Sequence, residues 1–274
     1  MRIKRETLRT KLDILYDRYN KRAFVDPDPL LFLYDYPDLG DREVAGLVAA
    51  CLAYGRVELI MKTVRAVLGP LGPSPREFIM NTEMSEIRGI FKGFKYRFAT
   101  QDHLVALLMG IRDILGAQGS LAACFNAGVA EEGTVCGGLA RIHEAVSGAG
   151  HVGHLLADPG KTSACKRSHL FLRWMIRKDR VDPGGWTGVL PDVLVYPIDT
   201  HMYRIGHMLG FTRRKSADKR CAMEITEGFR RINPSDPVKY DFALTRFGIR
   251  RQFCADDLKA FLRSGKTKEN KHVI

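Results

Sequence analysis

Two side chains in this sequence have neighbours that could equip them for covalent chemistry: an acid at Asp199 and an amine at Lys166. Asp199 follows the apolar run Val193-Leu194-Val195-Tyr196-Pro197-Ile198. It directly precedes a stretch in which Met202, Ile205, Met208 and Leu209 recur at helical spacing up to Gly210. An aspartate there is a natural N-cap, accepting N–H bonds from His201 or Met202 and facing the positive end of the helix dipole, for roughly 1 kcal/mol. The same geometry keeps a carboxylate charged and aimed, as an electrostatic catalyst must be. Lys166 opens a helical pattern with Leu170, Phe171, Trp174 and Met175 on one side and Arg173 and Arg177 at i,i+4 on another. Most lysines are solvated cations. This one is flanked by Lys161 and Arg167, and neighbouring cations combined with burial favour the neutral amine that can attack carbon.

The elements that must position these groups read as nearly all helical. Residues 5–20 put Leu8, Leu12, Leu15 and Tyr16 on one side of a helix, and a Pro-rich joint follows. From Arg42 the pattern predicts a buried central helix to about Ala53, a turn at Gly55 and a second helix ending before Pro70. Two short helical pieces come after Pro73 and Pro75, then the loop FKGFKYRFAT, then an amphipathic helix from Thr100 to about Leu115 with Thr100, Asp102 and His103 at its start. Residues 119–150 are Gly-rich with weak helical signals. Thr162 or Ser163 is the expected cap of a helix continuing to about Lys178. Two more helices, separated by Asn233-Pro234 and Asp236-Pro237, follow Gly210, and the best strand signal is the run Val193–Tyr196. The expected domain is single and two-lobed over residues 1–262. Residues 42–205 form a middle lobe, the N-terminal helix joins residues 211–262, and 263–274 is a basic tail carrying Lys266, Lys268 and Lys271.

Composition sets the class. With 274 residues, 45% of them hydrophobic, the chain can bury a full core, and a formal charge of +12 attracts polyanions, nucleic acid first among them. No run approaches the roughly 20 apolar residues of a membrane span. The expected setting is therefore cytoplasmic and nucleoid-associated, and the expected working unit is a monomer. Cys51, Cys124, Cys136, Cys165, Cys221 and Cys254 form no C-x-x-C pair, so neither a zinc knuckle nor an iron–sulfur loop is signalled. His151 and His154 would share a face only if their Gly-rich surroundings were helical, and Trp174 and Trp186 read as core residues.

PIDTHMYRIGHMLG resembles the segment that bears the catalytic aspartate in the helix-hairpin-helix superfamily of DNA glycosylases. CKRSHLFLRW is similar to the helix in which some of those enzymes carry a nucleophilic lysine. VAGLVAACLAYGR, GFKYRFATQDHLVALLMGI and VKYDFALTRFGIR are similar to the central helix, the Gly-Tyr-Arg loop and the late helix. The resemblance covers about Arg42 to Gln252, and the sequence also looks like the DUF2400 type of bacterial protein, inside or beside that superfamily. It implies an all-α fold in two lobes and a glycosylase with abasic-site lyase activity. Lys166 would be the nucleophile and Asp199 its electrostatic partner, with no metal or cofactor. Lys161, Arg167, Arg56, Tyr96, Arg97, His201 and Arg204 are the expected contacts to DNA, or to RNA as the alternative; Tyr54, Arg56, Tyr96 and Arg97 read equally well as helix-end packing. His201 reads as a capping group rather than a proton shuttle. Departures are also present. The superfamily's hairpin is Leu-Pro-Gly-Val-Gly-x-Lys, whereas this chain has DPGKTSACK and a long segment between Lys166 and Asp199. Two further readings follow from those departures: a noncatalytic nucleic-acid-binding protein of the same fold, and a hydrolase on modified nucleic acid in which Asp199 activates water.

Overall fold

Helix α1 (Arg5–Tyr19) buries Leu8, Leu12 and Leu15, and a computed structural model describes the chain from there over residues 4–249 and 255–263. The basic tail with Lys266, Lys268 and Lys271 lies outside the described residues. The Pro-rich joint becomes 3-10 turns, Arg22–Phe24 and Pro29–Asp35, the second capped by Asp28. Helix α2 (Leu39–Leu52) starts where Asp38 accepts from Asp41 N, and every residue from Glu43 to Leu52 is buried. A helix apolar all round must lie in the interior, and α2 packs against the 3-10 turn, α3 (Val57–Leu71), α4 (Pro75–Asn81) and α9 (Lys166–Ile176). Between α4 and α9 run α5 (Met84–Ile90), a two-residue hairpin of β1 (Lys95–Tyr96) and β2 (Ala99–Thr100), α6 (Gln101–Gln118), α7 (Leu121–Glu132) and α8 (Val135–Gly148). Then come α10 (Thr200–Leu209), α11 (Lys219–Arg230), α12 (Asp241–Ile249) and α13 (Ala255–Arg263). The fold is all-α. One apolar cluster runs from Leu8 to Leu262, α1 packs on α12, and Lys11 Nζ donates to the carbonyls of Phe261 and Leu262 at the end of α13. No single helix among the described residues is long and apolar enough to cross a membrane.

Several boundaries differ from the sequence reading. Helix α3 does not stop before Pro70 but carries it in the last turn, where a missing N–H breaks only one bond near the helix end. The Gly-rich stretch 119–150 is mostly the pair α7–α8, packed closely on each other and on α6. A Cβ on Gly110 would collide with the Val146 backbone, and one on Gly138 would lie 2.5 Å from the Phe125 ring. Val193–Tyr196 is not a strand: a 3-10 turn, Pro191–Val193, leads into a buried extended run. There Tyr196 N donates to Thr226 Oγ1 and the Tyr196 ring stacks on Phe229 at 4.4 Å.

The long segment between Lys166 and Asp199 folds back along α9. Gly184 N and Trp186 N donate to the carbonyls of Trp174 and Met175, and Trp186 Nε1 donates to Glu43 Oε2 at 3.0 Å. Glu43 also accepts from Leu121 N and Ala122 N, so one buried carboxylate joins α2, α7 and this segment. Beneath it lies an ion network. Arg173 pairs with Asp182 at 3.1 Å and with Asp241; Arg177 pairs with Asp182, with Asp179 at 2.8 Å and with Asp236 at 3.0 Å. Arg173, Asp182 and Asp241 are almost wholly buried. Removing one partner of such a network leaves a buried charge without its counter-ion. Arg173→Met is therefore expected to lower the unfolding free energy by about 3–5 kcal/mol in urea denaturation. A loss under about 1 kcal/mol would mean that Asp241 is satisfied by other groups.

Candidate active site

Asp199 caps α10 as the sequence predicts. Its Oδ1 accepts from both His201 N and Met202 N at 2.8 Å, and Gly210 closes the helix in the left-handed region at φ 77°. Met202, Ile205 and Leu209 are the buried face. Because Leu194 to Ile198 are buried and Tyr196 N is tied to α11, the approach to the cap is rigid and the half-buried carboxylate has a defined direction. Its charge reaches into the core. Asp241 is pushed up to about 6, first by burial and then by Asp199, against the lowering pull of Arg173.

Helix α9 begins at Lys166 rather than at Thr162 or Ser163. The reason is nonlocal: Thr162 O accepts from Lys219 N at 3.0 Å and Ser163 bridges to Asp218, so the start of α11 keeps this segment extended. Cys165, the residue before Lys166, takes the left-handed conformation at φ 44°, which is uncommon for a side-chain-bearing residue, and no side chain caps the helix. Lys166 is half-buried and makes no hydrogen bond or ion pair among the described residues. Lys161 is exposed with its ammonium 3.8 Å from Asp158, so the cation expected beside Lys166 is partly answered. Arg173 stands two turns beyond Lys166 on the same face. Of these groups only Arg173 and Asp241 touch, as an ion pair; Lys166 shares a helix face with Arg173 two turns away, and Asp241 feels the charge of Asp199.

Around the C-terminal end of α2 the structure gathers residues from four segments. The Tyr54 ring lies 4.8 Å from Tyr96 and 5.1 Å from His154, and each tyrosine hydroxyl donates to the other residue's carbonyl. Gly55, at φ 103°, lets the chain turn here, since a Cβ would sit 3.1 Å from Arg97 Nη1 and 3.2 Å from the Tyr96 hydroxyl. Arg167 lies over Tyr54 at 4.8 Å, and its Nη1 donates to Cys51 O at 2.7 Å while Nη2 donates to His154 O. Arg167 thus locks the first turn of α9 to the end of α2, a fixing role beyond the phosphate contact expected of it. Arg56 and Arg97 are exposed at the edge of this cluster, beside Phe98, which is 65% exposed. Phe98 and His154 escaped the sequence reading as members of this group; the Arg97-Phe98 pair at the tip of the hairpin was the available signal. Burial, with Arg167 and Arg97 adding to it, holds His154 below the usual imidazole range, so it is neutral at pH 7. His201 and Arg204 lie on α10. His201 serves the cap through its backbone, Arg204 is exposed, and neither has a ring contact or ion pair with the aromatic cluster.

No group of three or more metal-ligating side chains occurs among the described residues. His151 lies 5.2 Å from His103, whereas His154 packs on Tyr54 and Phe98. Cys51, Cys124, Cys165 and Cys221 are buried and unpaired, and Cys136 is partly exposed.

No curated protein and no solved structure matches the chain. The sequence profile described as Protein of unknown function (DUF2400) matches residues 28–250, which include α2, Lys166, Asp199 and the aromatic cluster. On that match, which spans well over half of its 274 residues, the chain belongs to the DUF2400 family.

Proposed function

We propose that this protein is a DNA glycosylase with associated abasic-site lyase activity, built on a helix-hairpin-helix glycosylase type of fold. The observation that carries the reading is an amine without an ion-pair or hydrogen-bond partner among the described residues at the first turn of α9, together with a capped, directed carboxylate at Asp199 whose charge reaches Asp241, the ion-pair partner of Arg173 on α9. A damaged base is flipped from the stack, at a cost of a few kcal/mol. The Lys166 amine attacks C1′ as the bond to the base breaks, Asp199 stabilises the positive charge developing there, and loss of the amine proton with opening of the sugar ring gives the Schiff base that permits strand cleavage. The exposed Arg56, Arg97 and Phe98 suit a splayed strand, the cations meeting phosphate and the ring stacking on a base.

One observation favours a noncatalytic nucleic-acid-binding protein instead. The segment before Lys166 pairs its backbone with α11, so it is not free to cradle a phosphate as a Gly-rich hairpin would. A panel of duplexes carrying oxidised, alkylated and abasic sites decides between them. Wild-type protein is expected to release base or cleave the strand on at least one lesion. Its affinity for duplex DNA should fall with log salt at a slope near −0.9 per phosphate contacted. Salt-dependent binding without base release or cleavage supports the binding protein, and absence of binding at low salt removes both readings.

A further inference from the structure

Behind the start of α9 lies a cavity of about 370 Å³ that neither Lys166 nor Asp199 lines. Its walls are mainly apolar, with Val129, Val135 and Leu139 from the α7–α8 pair, Val193 and Val195 from the run before Asp199, and Ala222 from α11. That volume falls in the range of small-molecule sites, roughly 300–1,000 Å³.

The polar side of the cavity is built around Lys219, the first residue of α11. Its Nζ donates to Cys136 Sγ at 3.0 Å and to Pro159 O at 2.9 Å, and it has no carboxylate partner among the described residues. An ammonium has three N–H donors, so one is left over, on a cation that no carboxylate among the described residues pairs with. The other groups at the wall do not supply the missing anion. His169 is pushed down to about 4 by burial and by the Lys219 charge, so its ring is neutral at pH 7. Arg230 already has Glu227 at 3.3 Å and Asp192 O at 3.1 Å. A partly buried cation in an apolar enclosure gains most from an anion that brings its own apolar surface. A phosphate would want several cations or a nest of N–H groups, whereas a carboxylate needs one strong donor.

We propose that this cavity is a binding site for a small monoanion with an apolar body, its carboxylate accepting from Lys219 and its body lying against Val135, Leu139 and Val195. This is independent of the glycosylase reading and needs no nucleic acid to test.

Octanoate and naphthalene-2-carboxylate are suitable probes, with octanamide and naphthalene-2-carboxamide as uncharged controls, titrated into the full chain by calorimetry. The carboxylates should bind at least about tenfold tighter than their amides, the size expected of one charge-assisted hydrogen bond. They should also slow alkylation of Cys136 by iodoacetamide, read by peptide mass spectrometry, because Cys136 lines the same cavity and touches Lys219. Lys219→Met keeps the stem and removes the charge, and it should abolish the preference for carboxylate over amide. Lys219→Arg keeps the charge and should retain it, which separates loss of the cation from damage to the fold. Equal binding of acid and amide, unchanged carboxylate affinity in Lys219→Met, or binding that leaves Cys136 unprotected would each overturn the proposal, as would no binding of either carboxylate.

Discussion

Asp199→Asn is expected to melt within a few degrees of wild type while losing about two to three orders of magnitude in base release. The two halves of that expectation come from different properties of one side chain. As an N-cap, Asp199 uses a single oxygen to accept two N–H bonds at 2.8 Å, and the asparagine carbonyl can accept the same pair. The structural role therefore survives, at a cost well under about 1 kcal/mol. The negative charge does not, and stabilisation of a cationic transition state depends on that charge rather than on the hydrogen bonds. A second consequence tests the linkage inside the core. Removing the Asp199 charge takes away one of the influences that raise Asp241, whose titration should then move downward from about 6. Base release from a lesion duplex, thermal melting and carboxyl titration by NMR are the three measurements. Full activity in a normally folded Asp199→Asn protein would leave capping as the only role of this residue.

What the sequence could reveal divides along local and nonlocal interactions. The cap at Asp199, the stop at Gly210 and the Thr100–His103 capping box depend on residues within about ten positions and stand as the sequence predicts, and of the expected face Met202-Ile205-Met208-Leu209 all but the partly buried Met208 are buried. The α7–α8 pair was obscured because its glycines are a breaker signal in a local reading. In the fold, Gly128 and Gly138 are there to let backbones and rings approach, since a Cβ on Gly128 would lie 2.6 Å from Gly137 O. The start of α9 was misplaced because Thr162 and Ser163 have the chemistry of caps, and only Lys219 and Asp218, more than fifty residues later, hold them extended. The candidate site shows the same division. Lys166 and Asp199 could be singled out as candidates from their neighbours, and the capping role of Asp199 is present in the structure. The role of Arg167 was not legible, since its guanidinium meets Cys51 O across a sequence separation of 116 and His154 O from a loop without pattern.

Lys166→Gln is expected to abolish the covalent adduct that borohydride forms with wild-type protein on an abasic or 8-oxoguanine duplex, while leaving duplex binding within about threefold. A Schiff base requires a primary amine at C1′, and glutamine has none, so the loss should be complete rather than partial. Binding should persist because Lys166 is one cation in a chain of formal charge +12, and the exposed Arg56, Arg97, Lys161 and Arg204 are untouched. Folding should persist as well. Lys166 makes no hydrogen bond or ion pair among the described residues, and α9 is held by Phe171 and Trp174 in the core, the Arg173 network and the Arg167 lock. The outcomes separate cleanly. Trapping that survives in Lys166→Gln moves the nucleophile elsewhere, to Lys161 or the N-terminal amine. Base release without an adduct from wild type makes the enzyme a monofunctional glycosylase in which Asp199 activates water, and the open amine of Lys166 is then a phosphate contact. If wild type gives neither adduct nor base release on any DNA lesion, the sequence resemblance to glycosylases does not extend to their activity, and the chemistry lies with another nucleic acid or with binding alone.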